Sequence, residues 1–293
     1  MLAQGSKAKS SVNSALDEPF WVKSLLIGLT YLFLTLFLFV PLAAVFFEAF
    51  RKGLDTYLIS ITDRYAWAAI QLTLLTAGIS VVANLIFGMA ASWAIAKFEF
   101  WGKSILLTLI DLPFAVSPVI SGLVFVLVFG AQGWFGPILN SYGLQIIYAV
   151  PGIVLATMFV TFPFVARELI PLMQEQGTDE EQAAVMLGAN GWQVFWRVTV
   201  PNVRWALIYG VILCNARAMG EFGAVSVVSG HVRGKTNTVP LHVEILYNEY
   251  NFAAAFAVAS ILAFLALATL IAKAIVEHKQ ALSQSNVESG TSA

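Results

Sequence analysis

Ser24 to Phe47 reads SLLIGLTYLFLTLFLFVPLAAVFF, a run without one charged side chain that ends only at Glu48. At 1.5 Å per residue such a run makes a helix of about 36 Å. Crossing a hydrocarbon core of about 30 Å takes roughly 20 mostly apolar residues. The run therefore predicts a membrane-spanning helix. A secretory signal would place a shorter apolar region nearer the start. This one reads instead as an uncleaved anchor behind a polar tail, residues 1–23.

Five more runs of this kind follow, at about 66–96, 104–129, 147–166, 205–229 and 253–276. Composition agrees: 59% of the 293 residues are hydrophobic and only 11% are charged. A soluble domain carries about 25% charge, so too little polar surface is available for one here. Soluble enzymes and nucleic-acid binders are excluded, and a net charge of −1 supplies no field to attract DNA. The single cysteine, Cys214, excludes an intrachain disulfide and any Cys-based metal cluster. The expected fold class is an all-α membrane protein with about six transmembrane helices.

Lys and Arg orient the spans. With the N-terminus inside, inner segments hold ten: Lys7, Lys9, Lys23, Lys97, Lys103, Arg167, Arg197, Arg204, Lys273 and Lys279. Outer segments hold five, Arg51, Lys52, Arg64, Arg233 and Lys235, while the sixteenth, Arg217, lies inside a span. This asymmetry predicts a multi-pass protein with both termini cytoplasmic. The chain then divides into the tail 1–23, a first helix and external loop 24–65, a transmembrane domain 66–276 and a tail 277–293. Residues 280–293, rich in Ser, Gln and Asn, and the first tail are expected to be disordered.

The longest inner segment, 167–204, carries the next signal. In Gly177-Thr178-Asp179-Glu180-Glu181, Thr178 can cap a helix with Glu181 as its capping-box partner. Asn190-Gly191 is a suitable stop. Between them Ala183, Ala184, Leu187 and Gly188 share one small, smooth stripe. Patterning leaves two readings open: the stripe packs on this chain's own spans, or it meets another protein.

Gln182-Ala183-Ala184, then Gly188, then Val198-Thr199-Val200-Pro201 resembles the EAA loop of ABC-importer permeases, with every spacing kept. Gln182 replaces the usual Glu, which stands one place earlier as Glu181. The stretches Asp111 to Val119 (DLPFAVSPV) and Asn215 to Val225 (NARAMGEFGAV) are similar to sulfate/thiosulfate permeases. Ser226 to Gly230 (SVVSG) is closer to their W subunit than to the companion T subunit. Arg-Ala-x-Gly-Glu-Phe-Gly is shared with molybdate permeases. The resemblance implies a type I importer permease fold whose EAA-type helix, through Glu181, Gln182, Ala183, Ala184, Leu187, Gly188 and Pro201, couples to a separate ATPase. It also implies a homologous T-type permease, two ATP-binding cassette subunits that hold ATP and Mg, and an external sulfate/thiosulfate-binding protein. This chain itself would bind no cofactor and no nucleic acid, only lipid and the passing anion.

Within the spans, ionisable residues cost roughly 2.5–3.5 kcal/mol each at the centre and face protein or water. Arg217 and Glu221 are four apart and can pair; the pair either fixes helix packing or lends positive potential to an anion path. Asp111 precedes Pro113 and Pro118, which predict a broken helix. Ser117 and Ser121 then become neutral donors for a passing oxyanion, although hydroxyls in apolar helices more often bond their own backbone. With Asn215, these are the candidates for path or helix pairing.

Gly230 to Thr236 (GHVRGKT) imitates a phosphate-binding loop, but its first glycine is one residue too near and the segment is external. His231, His242 and His278 show no metal-ligand spacing, and no nucleophile setting appears. The stretch 230–252 reads by default as a solvated external loop, with docking to a binding protein as the alternative. The rival functions are a molybdate or other oxyanion permease and, from another class, an ion-coupled secondary transporter, which needs no coupling helix.

Overall fold

The computed structural model describes residues 19–291, with side chains through Glu277. The expectations for the first tail, with Lys7 and Lys9, lie outside the described residues for all but its last five. Twelve helices form among the described residues, and no strand. They are α1 (Phe20–Phe50), α2 (Leu54–Thr62), α3 (Arg64–Lys97), α4 (Lys103–Ala115), α5 (Pro118–Phe129) and α6 (Gly136–Ser141). The second half contains α7 (Val150–Gln176), α8 (Asp179–Met186), α9 (Gly191–Met219), α10 (Gly223–Ser229), α11 (Val239–Asn248) and α12 (Phe252–Thr291).

Four of these, α1, α3, α7 and α12, are long and apolar enough to cross a membrane unbroken. Six spans are reached only by counting two bent pairs: α4 with α5, at 110°, and α9 with α10, at 52°. The run over 104–129 is therefore bent between Ala115 and Pro118, at a break of the kind its prolines predict. Its cause is Pro118, which disfavours helical backbone in the residue before it. Ser117 is accordingly extended, with φ −58° and ψ 133°. Pro113, by contrast, stays inside α4.

Two prolines are absorbed differently. α1 contains a π-helical turn at Thr35–Phe39 and α9 another at Phe195–Thr199. Each lies just ahead of a proline, Pro41 or Pro201. Proline lacks an N–H and its ring clashes with the carbonyl four residues back. Widening the preceding turn relieves both, so the helix runs on.

The centre of the bundle is α7, flanked by α3 and α9, which also touch each other. Ile153, Ala156, Val165, Ala166, Leu169 and Met173 of α7 are fully enclosed. Lipid gives no hydrophobic reason for helices to associate, so close contact relies on small residues. Gly88 of α3 and Gly210 of α9 both press on Val165. A Cβ at Gly88 would lie 2.9 Å from the Val165 Cβ, and one at Gly210 3.2 Å from its Cα. Asn84 Nδ2 adds a polar tie, donating to Thr161 Oγ1 at 2.7 Å. α1 keeps most of its length exposed and meets α12 near its end, where Phe46 and Phe264 pack edge to face.

Three boundaries differ from expectation. α7 continues ten residues past 166, because Ala166, Leu169, Ile170 and Met173 extend its buried face. The segment 230–252 is exposed only at its two ends: Thr236 to Val239, Leu241 and His242 are buried, and the Val239 N–H donates to Thr73 Oγ1 at 2.8 Å. α12 runs on to Thr291, where disorder was expected; its Ala, Leu, Lys, Glu and Gln residues are good helix formers.

Candidate functional site

α8 projects at the end of the bundle where α3 and α7 stop and α9 starts. Its termination is set by Gly188, not by Asn190-Gly191. Ala189 N–H bonds Ala184 O at 3.0 Å and Gly188 N–H bonds Val185 O at 2.9 Å. This is the Schellman pattern, which requires a left-handed residue at the position of Gly188; its φ is 88°. Asn190 instead opens α9 with a capping box: Asn190 Oδ1 accepts the Gln193 N–H, and Gln193 Oε1 accepts the Asn190 N–H, both at 2.9 Å.

The capping box expected at Thr178 and Glu181 does not form. Thr178 Oγ1 accepts from Gln182 Nε2 at 2.9 Å, so the Gln that replaces the usual Glu tidies the start of α8. Glu181 is drawn away by stronger partners. Its Oε1 accepts the Thr199 hydroxyl at 2.7 Å and lies 3.2 Å from Lys97 Nζ. Glu180 accepts from Asn202. Lys97 Nζ also donates to the carbonyl of Gly177.

With Glu180 and Glu181 bonded to the bundle, α8 leaves its apolar residues outside. Met186 and Leu187 are 88% and 89% exposed, and Ala183 and Val185 are exposed as well. Of the two readings left open by patterning, packing of this stripe on the chain's own spans is not what the geometry has. Pro201, in the first turn of the α-helical body of α9, is exposed beside it.

Two charge pairs stand in the spans near the breaks, one at each. Asp111 Oδ1 accepts from Arg167 Nε at 2.8 Å, and the Arg167 guanidinium stacks over Phe114 at 4.6 Å. Arg167 is thus no loop cation; it stands in the body of α7. The second pair is the expected one. Arg217 Nη1 lies 2.7 Å from Glu221 Oε2, with side chains 36% and 1% exposed. It straddles the gap between α9 and α10 instead of sharing one helix. Glu221 Oε1 accepts the Ala224 N–H at 2.9 Å, and Arg217 occupies the last turn of α9. Each charge therefore faces the helix end of opposite polarity.

Ser121 is buried and its hydroxyl bonds the Ser117 carbonyl at 3.3 Å, while Ser117 is exposed at the start of α5. Asn215 is half-buried on α9. Sequence reasoning missed Lys97, Thr199 and Asn202, all near α8, and Arg167 as the partner of Asp111. The signal for Arg167 was available, since apolar residues continue at helical spacing beyond it. Nothing local could pair Lys97 with a residue 84 positions away.

A family model described as binding-protein-dependent transport system inner membrane component matches residues 84–281. The sulfate transport system permease protein CysW of Synechocystis sp. is 51% identical over 264 residues, 90% of this chain and 96% of its own. The sulfate transport system permease protein CysT of Escherichia coli (strain K12) is 34% identical over 239 residues, 82% of this chain and 86% of its own. The crystal structure of a bacterial alginate ABC transporter, in complex with alginate pentasaccharide-bound periplasmic protein, superposes with a TM-score of 0.72. That match covers 88% of this chain and 93% of the other at 17% identity, a likeness of fold alone.

Proposed function

The chain belongs to the family of binding-protein-dependent transport system inner membrane components, and we propose that it carries sulfate and thiosulfate inward as the permease subunit of an ATP-driven importer. It is a transport subunit with a type I importer permease fold, and no step of ATP hydrolysis falls to it. The CysW relatives support the substrate class. The CysT relatives support pairing with a homologous T-type permease. Two ATP-binding cassette subunits, holding ATP and Mg, and an external anion-binding protein complete the assembly. The protein is multi-pass, with both termini on the cytoplasmic side where α8 projects.

The observation that carries this reading is α8 itself. A short helix outside the spans, with its apolar side exposed and Glu180 and Glu181 fastened to the bundle, suits a lever worked by another protein. Closure of the ATPase pair on ATP displaces α8, the spans rotate, and the path opens outward to receive the anion. Hydrolysis returns the complex to the inward-facing state. The breaks after Ala115 and Met219 supply irregular backbone where a path can be lined.

Radiolabelled sulfate uptake in a permease-deletion strain tests the substrate. The chain should restore uptake, thiosulfate should compete, and molybdate should not. Restored uptake of labelled molybdate without restored sulfate uptake would make it a molybdate permease.

A further inference from the structure

We propose that Lys97 is a positioning residue that passes the motion of α8 into the membrane bundle; this deepens the reading of α8 as the helix worked by an ATPase and rests on it. A lever must be tied to what it moves. α8 has no buried residue of its own, and its apolar side points away from the bundle. Its ties are therefore polar. One of them, Glu180 to Asn202, lies between exposed groups. The other is sheltered: the side chains of Lys97 and Glu181 are 7% and 17% exposed, and Thr199 is buried.

A nearly enclosed ammonium persists only when it is paired and hydrogen-bonded. Lys97 is both, and its neighbours are the ends of different elements. It is the last residue of α3, where a cation suits the unpaired carbonyls of a helix end. It bonds the carbonyl of Gly177, the residue that ends α7. It pairs with Glu181 of α8, whose Oε1 also holds the hydroxyl of Thr199 in the π-helical turn of α9. One ammonium thus joins α8 to α3 and α7 directly and to α9 through a shared carboxylate. These three are the central helices, locked together at Gly88, Val165 and Gly210. A shift of α8 at Glu181 is felt by all three at once.

The experiment uses the assembled complex in proteoliposomes, with the ATPase subunits and the sulfate-loaded binding protein. Its readout is sulfate delivered per ATP hydrolysed, which a mere fastener of the fold would not change. Lys97→Met should lower that ratio about tenfold or more, within the range of ordinary coupling between sites. Lys97→Arg, which keeps the charge, should stay within about threefold of wild type. Glu181→Gln keeps an acceptor for Thr199 and loses only the ion pair, so it should reproduce the loss. If Lys97→Met does not assemble, Glu181→Gln alone decides. A wild-type ratio in either variant, with only rate or yield reduced, overturns the proposal. Absence of ATP-dependent sulfate uptake in the wild-type complex would instead sink the underlying reading.

Discussion

The carboxylate of Glu221 serves both sides of one break. Its Oε2 faces Arg217 at the end of α9 and its Oε1 takes the Ala224 N–H at the start of α10. Exchanging the two charges would set each against a helix end of its own sign. The double variant Arg217→Glu with Glu221→Arg should therefore leave uptake lost, whichever way the anion travels. Glu221→Ala should cost about 2 kcal/mol, under the roughly 3–5 of a fully buried pair because Arg217 keeps a third of its surface. Glu221→Gln retains an acceptor for Ala224 and should cost less. Thermal unfolding of the purified complex ranks the three; an alanine variant as stable as wild type contradicts the bridging role. The i,i+4 spacing made this pair legible. Thr178 and Glu181 had capping-box spacing too, but a local rule loses when a distant ammonium offers the carboxylate a charge.

At the scale of elements, apolar run length was enough to find α1, α3, α7 and α12, since lipid imposes a minimum length. It did not reveal that the third run bends by 110°. Both prolines there were visible, yet only Pro118 breaks the helix while Pro113 stays inside α4. The segment containing α11 was least legible: its polar composition suggested solvent, while its Val239, Leu241 and Val243 pack inward. Burial, with Arg233 adding to it, pushes the His242 imidazole below its usual 6.5. A histidine held neutral when folded binds fewer protons than the unfolded chain once pH falls below about 6.5. Stability is therefore full above that value and declines as the medium is acidified toward the lowered pKa. Replacing His242 by Gln should flatten the fall in Tm between pH 7 and 5; an unchanged slope would mean that His242 does not set it.

For the molecule as a whole, the scarcity of charge announced a membrane protein, and the placement of the few charges does more. Among the charged residues of the spans and their ends, Asp111 pairs with Arg167, Arg217 with Glu221, and Lys97 with Glu181. Two of these pairs stand near helix breaks and the third beneath α8. The family resemblance was legible in α8 because its pattern describes a shape, a short helix stopped by one left-handed glycine. Gly188 has open space around it, so only its φ of 88° resists a side chain. A β-branched residue there costs roughly 1–2 kcal/mol and displaces the end of α8. Asn, which tolerates left-handed backbone, should serve in its place. The most direct measurement is sulfate uptake into proteoliposomes holding the complete complex, with and without ATP, for wild type, Gly188→Asn and Gly188→Val. Uptake that requires ATP, survives Asn and is lost with Val is the expected result. Uptake that proceeds without ATP, or that Val leaves intact, would contradict an ATP-driven permease worked through α8.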